Sequence, residues 1–251
     1  MKSFPKHAGW RSSLLVGTCL VLVSACPEVP PSGEGEGEGE SDPCSTPPDG
    51  MICVQGGSFS VSDEAHDIDT LLFDRDEVGL ASYRDCVAAG ACNAPPTDGA
   101  CNYGDASKDG NPVNCLSWED ANDYCAWSGK RLPTEWEWQW AARGRDEGRR
   151  YPWGSALPDE TLACWAPGGM GPWTCPHDEH SPEGDARDGL RNVAGNVAEW
   201  TASWFDAGQT QRVYRGGSFG SGDLELQVEE RTPLEPNDLN AGTGARCVSD
   251  L

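Results

Sequence analysis

The sequence predicts a mixed domain of short strands and a few helices, rich in loops and held together by disulfides. Three observations carry this reading. Cys44, Cys53, Cys86, Cys92, Cys101, Cys115, Cys125, Cys164, Cys175 and Cys247 form an even set beyond an N-terminal leader, and an even set in an exported chain reads as a disulfide framework. Two segments, opening at Ser117 and Thr134, carry helix-start signals. The rest alternates short strand-like runs with Gly- and Pro-rich connections; strands need such punctuation, and long helices do not tolerate it.

The leader is read from charge and hydropathy. Lys2, Lys6 and Arg11 precede a short, mostly apolar run, 12–23, and the small residues Ser24 and Ala25 stand before Cys26. A basic start, a short apolar stretch and small residues at the cut describe a signal peptide, residues 1–25. Val23-Ser24-Ala25-Cys26 is similar to a bacterial lipobox, in which the cysteine is acylated and becomes the new N-terminus. Ordinary cleavage that leaves Cys26 as a thiol is the other reading. Residues 26–43 follow as a linker containing Gly-Glu repeats and prolines. Like charges and the lack of an apolar cluster keep such a segment extended and solvated, reaching on the order of 23 Å. Residues 44–251 then make one domain.

Charge narrows the partners. Removing residues 1–25 takes away three basic residues and no acid, so the formal charge falls from −23 to −26. Nucleic acid is excluded as a partner class, because phosphate recognition needs basic patches. Attachment to anionic lipid through the protein surface is equally disfavoured, so the lipid on Cys26 is the expected membrane contact. Pro27 stands where an aspartate marks inner-membrane retention in some bacteria, which points to the outer membrane.

Along the domain, residues 52–61 read as strand, glycine turn and strand, and residues 71–78 as another strand. Residues 80–89 read as a short helix stopped by Gly90. The helix 118–128 has Ser117 at its N-cap, Asp120 three positions on and Gly129 at its end, with Ala121, Tyr124, Cys125 and Ser128 on one face. Thr134 and Glu137 form a second capping box, opening a helix to about Arg143 whose expected buried stripe is Trp136, Trp140 and Ala141. After Tyr151 little periodicity is visible until the strand 212–219, broken at Gly216-Gly217. All the tryptophans but Trp10 lie beyond the leader and read as packing of a loop-rich core, with a ligand-stacking groove as the alternative. His177 and His180, flanking Asp178-Glu179, read as solvated loop residues, and there is no Cys-x-x-Cys pair to suggest a metal.

Five segments in order carry a family resemblance: Gly56-Gly57-Ser58-Phe59; the block 111–144 with Gly129-Lys130-Arg131-Leu132-Pro133-Thr134-Glu135; Tyr151-Pro152-Trp153-Gly154; Gly189-Leu190-Arg191-Asn192-Val193-Ala194-Gly195-Asn196-Val197-Ala198-Glu199-Trp200; and Arg215-Gly216-Gly217-Ser218-Phe219 with Ala245-Arg246-Cys247. Together they resemble the formylglycine-generating-enzyme (sulfatase-modifying factor) family over nearly all of residues 51–250. The resemblance implies an α+β fold, low in regular secondary structure and distantly like C-type lectins. It also implies a Cys125–Cys247 disulfide. Proximity in sequence suggests Cys44–Cys53, Cys86–Cys92, Cys101–Cys115 and Cys164–Cys175, each worth about 2–4 kcal/mol.

Active members of that family oxidise a sulfatase cysteine to formylglycine with oxygen and copper on two thiolates. Here the matching positions are Ser221 and Leu226. Neither supplies the soft ligand that Cu(I) requires, so copper is not expected. Cys164 and Cys175 are the least constrained substitutes, but an exported pair so close reads better as a disulfide. An iron-dependent variant fares no better, since relatives of that kind draw their histidines from a separate helical domain. The resemblance further implies a calcium loop, with backbone oxygens of Gly195 and Val197, the Asn196 amide oxygen and the Glu199 carboxylate as hard ligands. The alternative is that Asn196 and Glu199 tie the turn through hydrogen bonds. A second family calcium site near Ala163 is not carried over, because Cys164 stands in place of asparagine. The expected function is a membrane-anchored, non-catalytic binding or structural module meeting an envelope protein or glycan. The rivals are an oxidase with atypical ligands and an accessory subunit of an active relative.

Overall fold

In a computed structural model the described residues are 44–165 and 173–251. The signal peptide 1–25, the lipidation site Cys26 and the linker 26–43 lie outside them. Among the described residues no helix is long and apolar enough to cross a membrane.

The chain opens with β1 (Met51–Val54), β2 (Gly57–Val61), β3 (Glu64–Ile68) and β4 (Leu71–Asp74). The two strands expected on either side of the glycine step in 52–61 are present as β1 and β2, but they do not pair with each other. Instead β2 pairs with β3, Val61 opposite Glu64, across Ser62 and Asp63, whose φ angles are 49° and 68°. Two successive positive φ values give the turn whose twist matches a hairpin. β1 pairs with β4, and β4 pairs with the C-terminal strand β9 (Val248–Asp250), all antiparallel. Residues 75–78 continue from β4 as irregular chain rather than strand.

α1 (Leu80–Ala88), α2 (Trp118–Trp127) and α3 (Glu135–Ala142) follow. Both expected capping boxes are present: Ser117 with Asp120, and Thr134 with Glu137. Each satisfies two orphan helix-end donors reciprocally. A second sheet orders β7 (Thr232–Leu234), β6 (Arg212–Arg215), β5 (Ala198–Trp204) and β8 (Thr243–Gly244), with β8 parallel to β5.

Two apolar clusters hold these elements together. One gathers Leu80, Tyr83, Ala121, Tyr124, Cys125, Trp200 and Cys247 around α1, α2 and β5. The other packs Phe59, Leu71, Phe73 and Val248 against Trp138, Trp140 and Ala141 of α3. The expected stripe on α3 is corrected by one tryptophan. Trp138 is the buried one, while Trp136 is only partly buried and stacks on His66 with ring centroids 4.0 Å apart. His66 sits on β3, a strand that the sequence did not reveal.

The disulfides are Cys44–Cys53, Cys86–Cys92, Cys101–Cys115, Cys125–Cys247 and Cys164–Cys175. The Cys125–Cys247 bridge spans 122 positions and is fully buried in the α1/α2 cluster. Constraint of the unfolded chain grows with loop length, so this bridge contributes most. Replacing Cys125 and Cys247 together by alanine lowers stability by about 2–5 kcal/mol, read as a lower urea midpoint.

Candidate functional site

Two loops build the site, and glycines let them interlock. Gly195 donates its N–H to the Gly216 carbonyl at 3.1 Å. Gly195 has φ +87°, and a Cβ there would meet the Cys164 carbonyl oxygen at 2.9 Å. Gly216 has φ +88°, and a Cβ there would fall 2.4 Å from the Val193 carbonyl oxygen. Any side chain at either position would wedge the loops apart.

Beyond Gly216 the chain carries Ser218, Phe219, Ser221 and Glu225 along one side of a pocket of about 260 Å³; Tyr214, Asn240 and Ala241 line it too. Its polar groups are partly committed. The Ser221 hydroxyl accepts from the Ser218 N–H at 3.0 Å, and the Glu225 carboxylate accepts from the Gly222 N–H. Burial pushes the Tyr214 phenol above its ordinary range, and the nearby Glu225 charge adds to the rise. Arg215 follows Tyr214 at the end of β6. Its buried guanidinium meets Glu135 and Gln139 at 3.1 Å each and the Glu230 carbonyl at 2.9 Å. Burial pushes that guanidinium down, and Glu135 opposes the shift.

Ser221 and Leu226, the two positions matching the family's thiolates, do not share this pocket. Ser221 lines it, whereas Leu226 is fully buried in an apolar cluster with Tyr151 and Ala194. The ten described cysteines are all in disulfides. In this oxidised state no thiolate pair stands among the described residues to hold copper.

The loop expected to hold calcium does not fit a hard cation as it stands. The Asn196 amide oxygen accepts from the Cys175 N–H at 2.9 Å, and its NH₂ donates to Glu77 at 2.8 Å. The Asn196 carbonyl accepts from Phe219 at 2.9 Å. Glu199 accepts from Arg246 at 2.7 and 3.0 Å and from the Trp138 indole at 2.6 Å. A cation would have to displace a guanidinium from Glu199, so the hydrogen-bond reading of these two residues is the one that fits. Gly195 serves through the loop contact above, and Val197 through its N–H, which donates to Glu77 at 3.1 Å.

Glu199 and Arg246 are fully buried. Burial pushes the Glu199 carboxyl up, against the pull of Arg246. Burial would push Arg246 down, but Glu199 together with the nearby Glu77 and Asp76 charges holds the guanidinium above its ordinary value. The remaining Arg246 donors reach carbonyls of Asp74 at 3.0 Å and Arg191 at 2.6 Å, and also that of Arg75. Charge-assisted bonds of this kind satisfy a buried ion only when all its donors are met.

His177 and His180 are not the solvated residues expected from sequence. His177 Nδ1 lies 3.6 Å from the Glu77 carboxylate with a side chain only 18% exposed. The Nε2 of His180 is buried, and one of its ring nitrogens lies beside the Cys164–Cys175 pair. Glu77 itself, the buried partner of Asn196, Val197 and His177, was missed because a single glutamate in irregular chain carries no pattern.

The interlocked glycine loops, the Glu199–Arg246 pair and the modest pocket define a disulfide-held α+β domain of the formylglycine-generating-enzyme fold. The crystal structure of CarF superimposes with TM-score 0.63 at 22% identity, covering 80% of this chain and 98% of that one. PvdO from Pseudomonas aeruginosa gives 0.63 at 21% identity, covering 80% and 94%. Residues 37–251 match the sulfatase-modifying factor enzyme 1-like domain, and the chain belongs to that family. The bovine inactive C-alpha-formylglycine-generating enzyme 2 is 39% identical over 154 residues, 55% of this chain and 50% of that protein. The formylglycine-generating enzyme of Thermomonospora curvata is 38% identical over 171 residues, covering 55% of each. The chain thus spans about half the length of these relatives.

Replacing Glu199 by glutamine leaves Arg246 buried without its charge partner and lowers stability by about 3–5 kcal/mol, measurable by denaturant titration. Adding calcium and then chelating it leaves the melting temperature of the wild-type protein unchanged. A calcium-dependent rise would mean that Glu199 turns from Arg246 to a cation.

Proposed function

We propose that this protein is a non-catalytic member of its family, a binding or structural module held at the bacterial envelope by a lipid on Cys26. One observation carries the reading. Where an oxidase needs two open thiolates, this chain has a hydrogen-bonded hydroxyl at Ser221 and a packed apolar side chain at Leu226. The scaffold around them is intact, so the loss concerns chemistry rather than folding. Relatives named as inactive, bovine and murine, match as well as those named as enzymes, which supports the same conclusion.

The pocket around Ser218, Ser221, Glu225 and Asn240 is the recognition surface in this reading. Hydroxyls and one carboxylate suit a polar ligand, such as a glycan or a segment of an envelope protein. In this reading the acidic Gly/Glu linker joins the domain to the lipid on Cys26, and Pro27 favours the outer membrane as its site.

Incubating the purified oxidised protein with copper, oxygen and a Cys-x-Pro-x-Arg peptide yields no aldehyde product by mass spectrometry. Formation of that product would overturn the reading. Radiolabelled palmitate added to expressing cells enters the protein and is lost in Cys26→Ser, which then appears in the soluble fraction. Label that survives the substitution would place the lipid elsewhere.

A further inference from the structure

Among the described residues, one group brings together three side chains able to hold a metal: Cys164, Cys175 and His180, whose ligand atoms lie within 4.8 Å of one another. Cys164 and Cys175 are now joined as a disulfide. A disulfide needs no imidazole beside it, yet the His180 Nε2 is buried with no hydrogen-bond partner. An unmatched buried polar atom of this kind asks for an explanation, and an unfilled ligand position is one.

We propose that reduction of Cys164–Cys175 converts this cluster into a two-thiolate, one-imidazole site for a thiophilic d¹⁰ cation such as Zn²⁺. The disulfide acts as the gate. A dithiol reductant supplies two electrons and two protons. The S–S bond breaks, two S–H bonds form, and the reductant closes to its own disulfide. The cation then displaces both thiol protons to solvent and takes the lone pair of the His180 ring nitrogen that faces the sulfurs, the ring's proton residing on the other nitrogen. A tetrahedral zinc centre needs ligand atoms about 3.5–3.8 Å apart, from bonds of about 2.0–2.3 Å. The sulfurs therefore part from bonding distance, and the imidazole closes by roughly an ångström.

The frame for this site does not depend on the disulfide. Asn196 donates its backbone N–H to the Cys164 carbonyl at 2.9 Å. Its side chain accepts from the Cys175 N–H at 2.9 Å and donates to the Cys175 carbonyl at 3.3 Å. Asn196 is anchored in turn by Glu77. Both cysteine backbones stay bracketed when the sulfurs separate, so the ligands are positioned before metal arrives. Phe219 packs on the pair and shields it on the side of the Ser221 pocket. Nothing in this proposal requires the binding function proposed above, and the metal would have no part in thiol oxidation.

The test uses the whole exported protein. The oxidised form and a form reduced under native conditions are titrated with Cd²⁺ and Zn²⁺ without air. Thiolate-to-cadmium absorption and calorimetry report binding, and alkylation with peptide mapping reports which thiols the metal protects. The expected result is one cation per reduced chain, protection of Cys164 and Cys175, and no binding by the oxidised form. His180→Asn, which leaves the disulfide intact, weakens zinc binding by at least about tenfold. The combined Cys164→Ser, Cys175→Ser variant abolishes it. The proposal is overturned if the reduced protein protects other cysteines instead, if His180→Asn binds zinc as tightly as wild type, or if the pair yields to reductant only when the domain unfolds.

Discussion

The buried Glu199–Arg246 pair is the constraint on which the rest of the structure depends. Arg246 comes from the segment just before β9, Glu199 from β5, and the Trp138 indole that completes the carboxylate's bonding from α3. The guanidinium's other donors take the carbonyls at the end of β4 and the Arg191 carbonyl ahead of the glycine loop. One ion pair thus ties the three-stranded sheet, the four-stranded sheet and a helix to a common point. Because ions so deeply buried are costly unless fully matched, the surrounding backbone has little freedom to move without stranding a charge.

Helices were legible in the sequence because their signals are local. Ser117 with Asp120 and Thr134 with Glu137 announce their helix starts within four residues. The strands were legible only in part. β5 buries four consecutive residues, Ala198 to Thr201, so the alternation that marks a half-exposed strand is missing there. β7, β8 and β9 are two or three residues long, too short for any period to register. Their existence depends on partners far along the chain. The choice between Trp136 and Trp138 failed for a related reason: both lie on α3, and only the position of β3 and Glu199 decides which faces inward.

The site divides in the same way. Motif resemblance located the glycine loops and the two positions without thiolates, and it placed Asn196 and Glu199 in one structural knot. It could not say whether their oxygens faced a cation or protein donors. That depends on Arg246 and Cys175, which arrive from elsewhere in the fold. Leu226 stands at one of the two positions without thiolates, and its side chain packs against Tyr151 and Ala194, so the space serves the core. One scaffold can carry different chemistries, which is why fold alone is a poor guide to activity.

The long bridge from Cys125 to Cys247 has a topological consequence. Nearly half the chain, including the glycine loops and the pocket, lies between its two ends. A protease that cuts any connection within that span produces two polypeptides that remain one molecule. Such a nick is invisible on a non-reducing gel. The two pieces stay at the high effective concentration of a tethered pair and keep their shared core. Survival of the assembled domain is thereby separated from the continuity of its backbone.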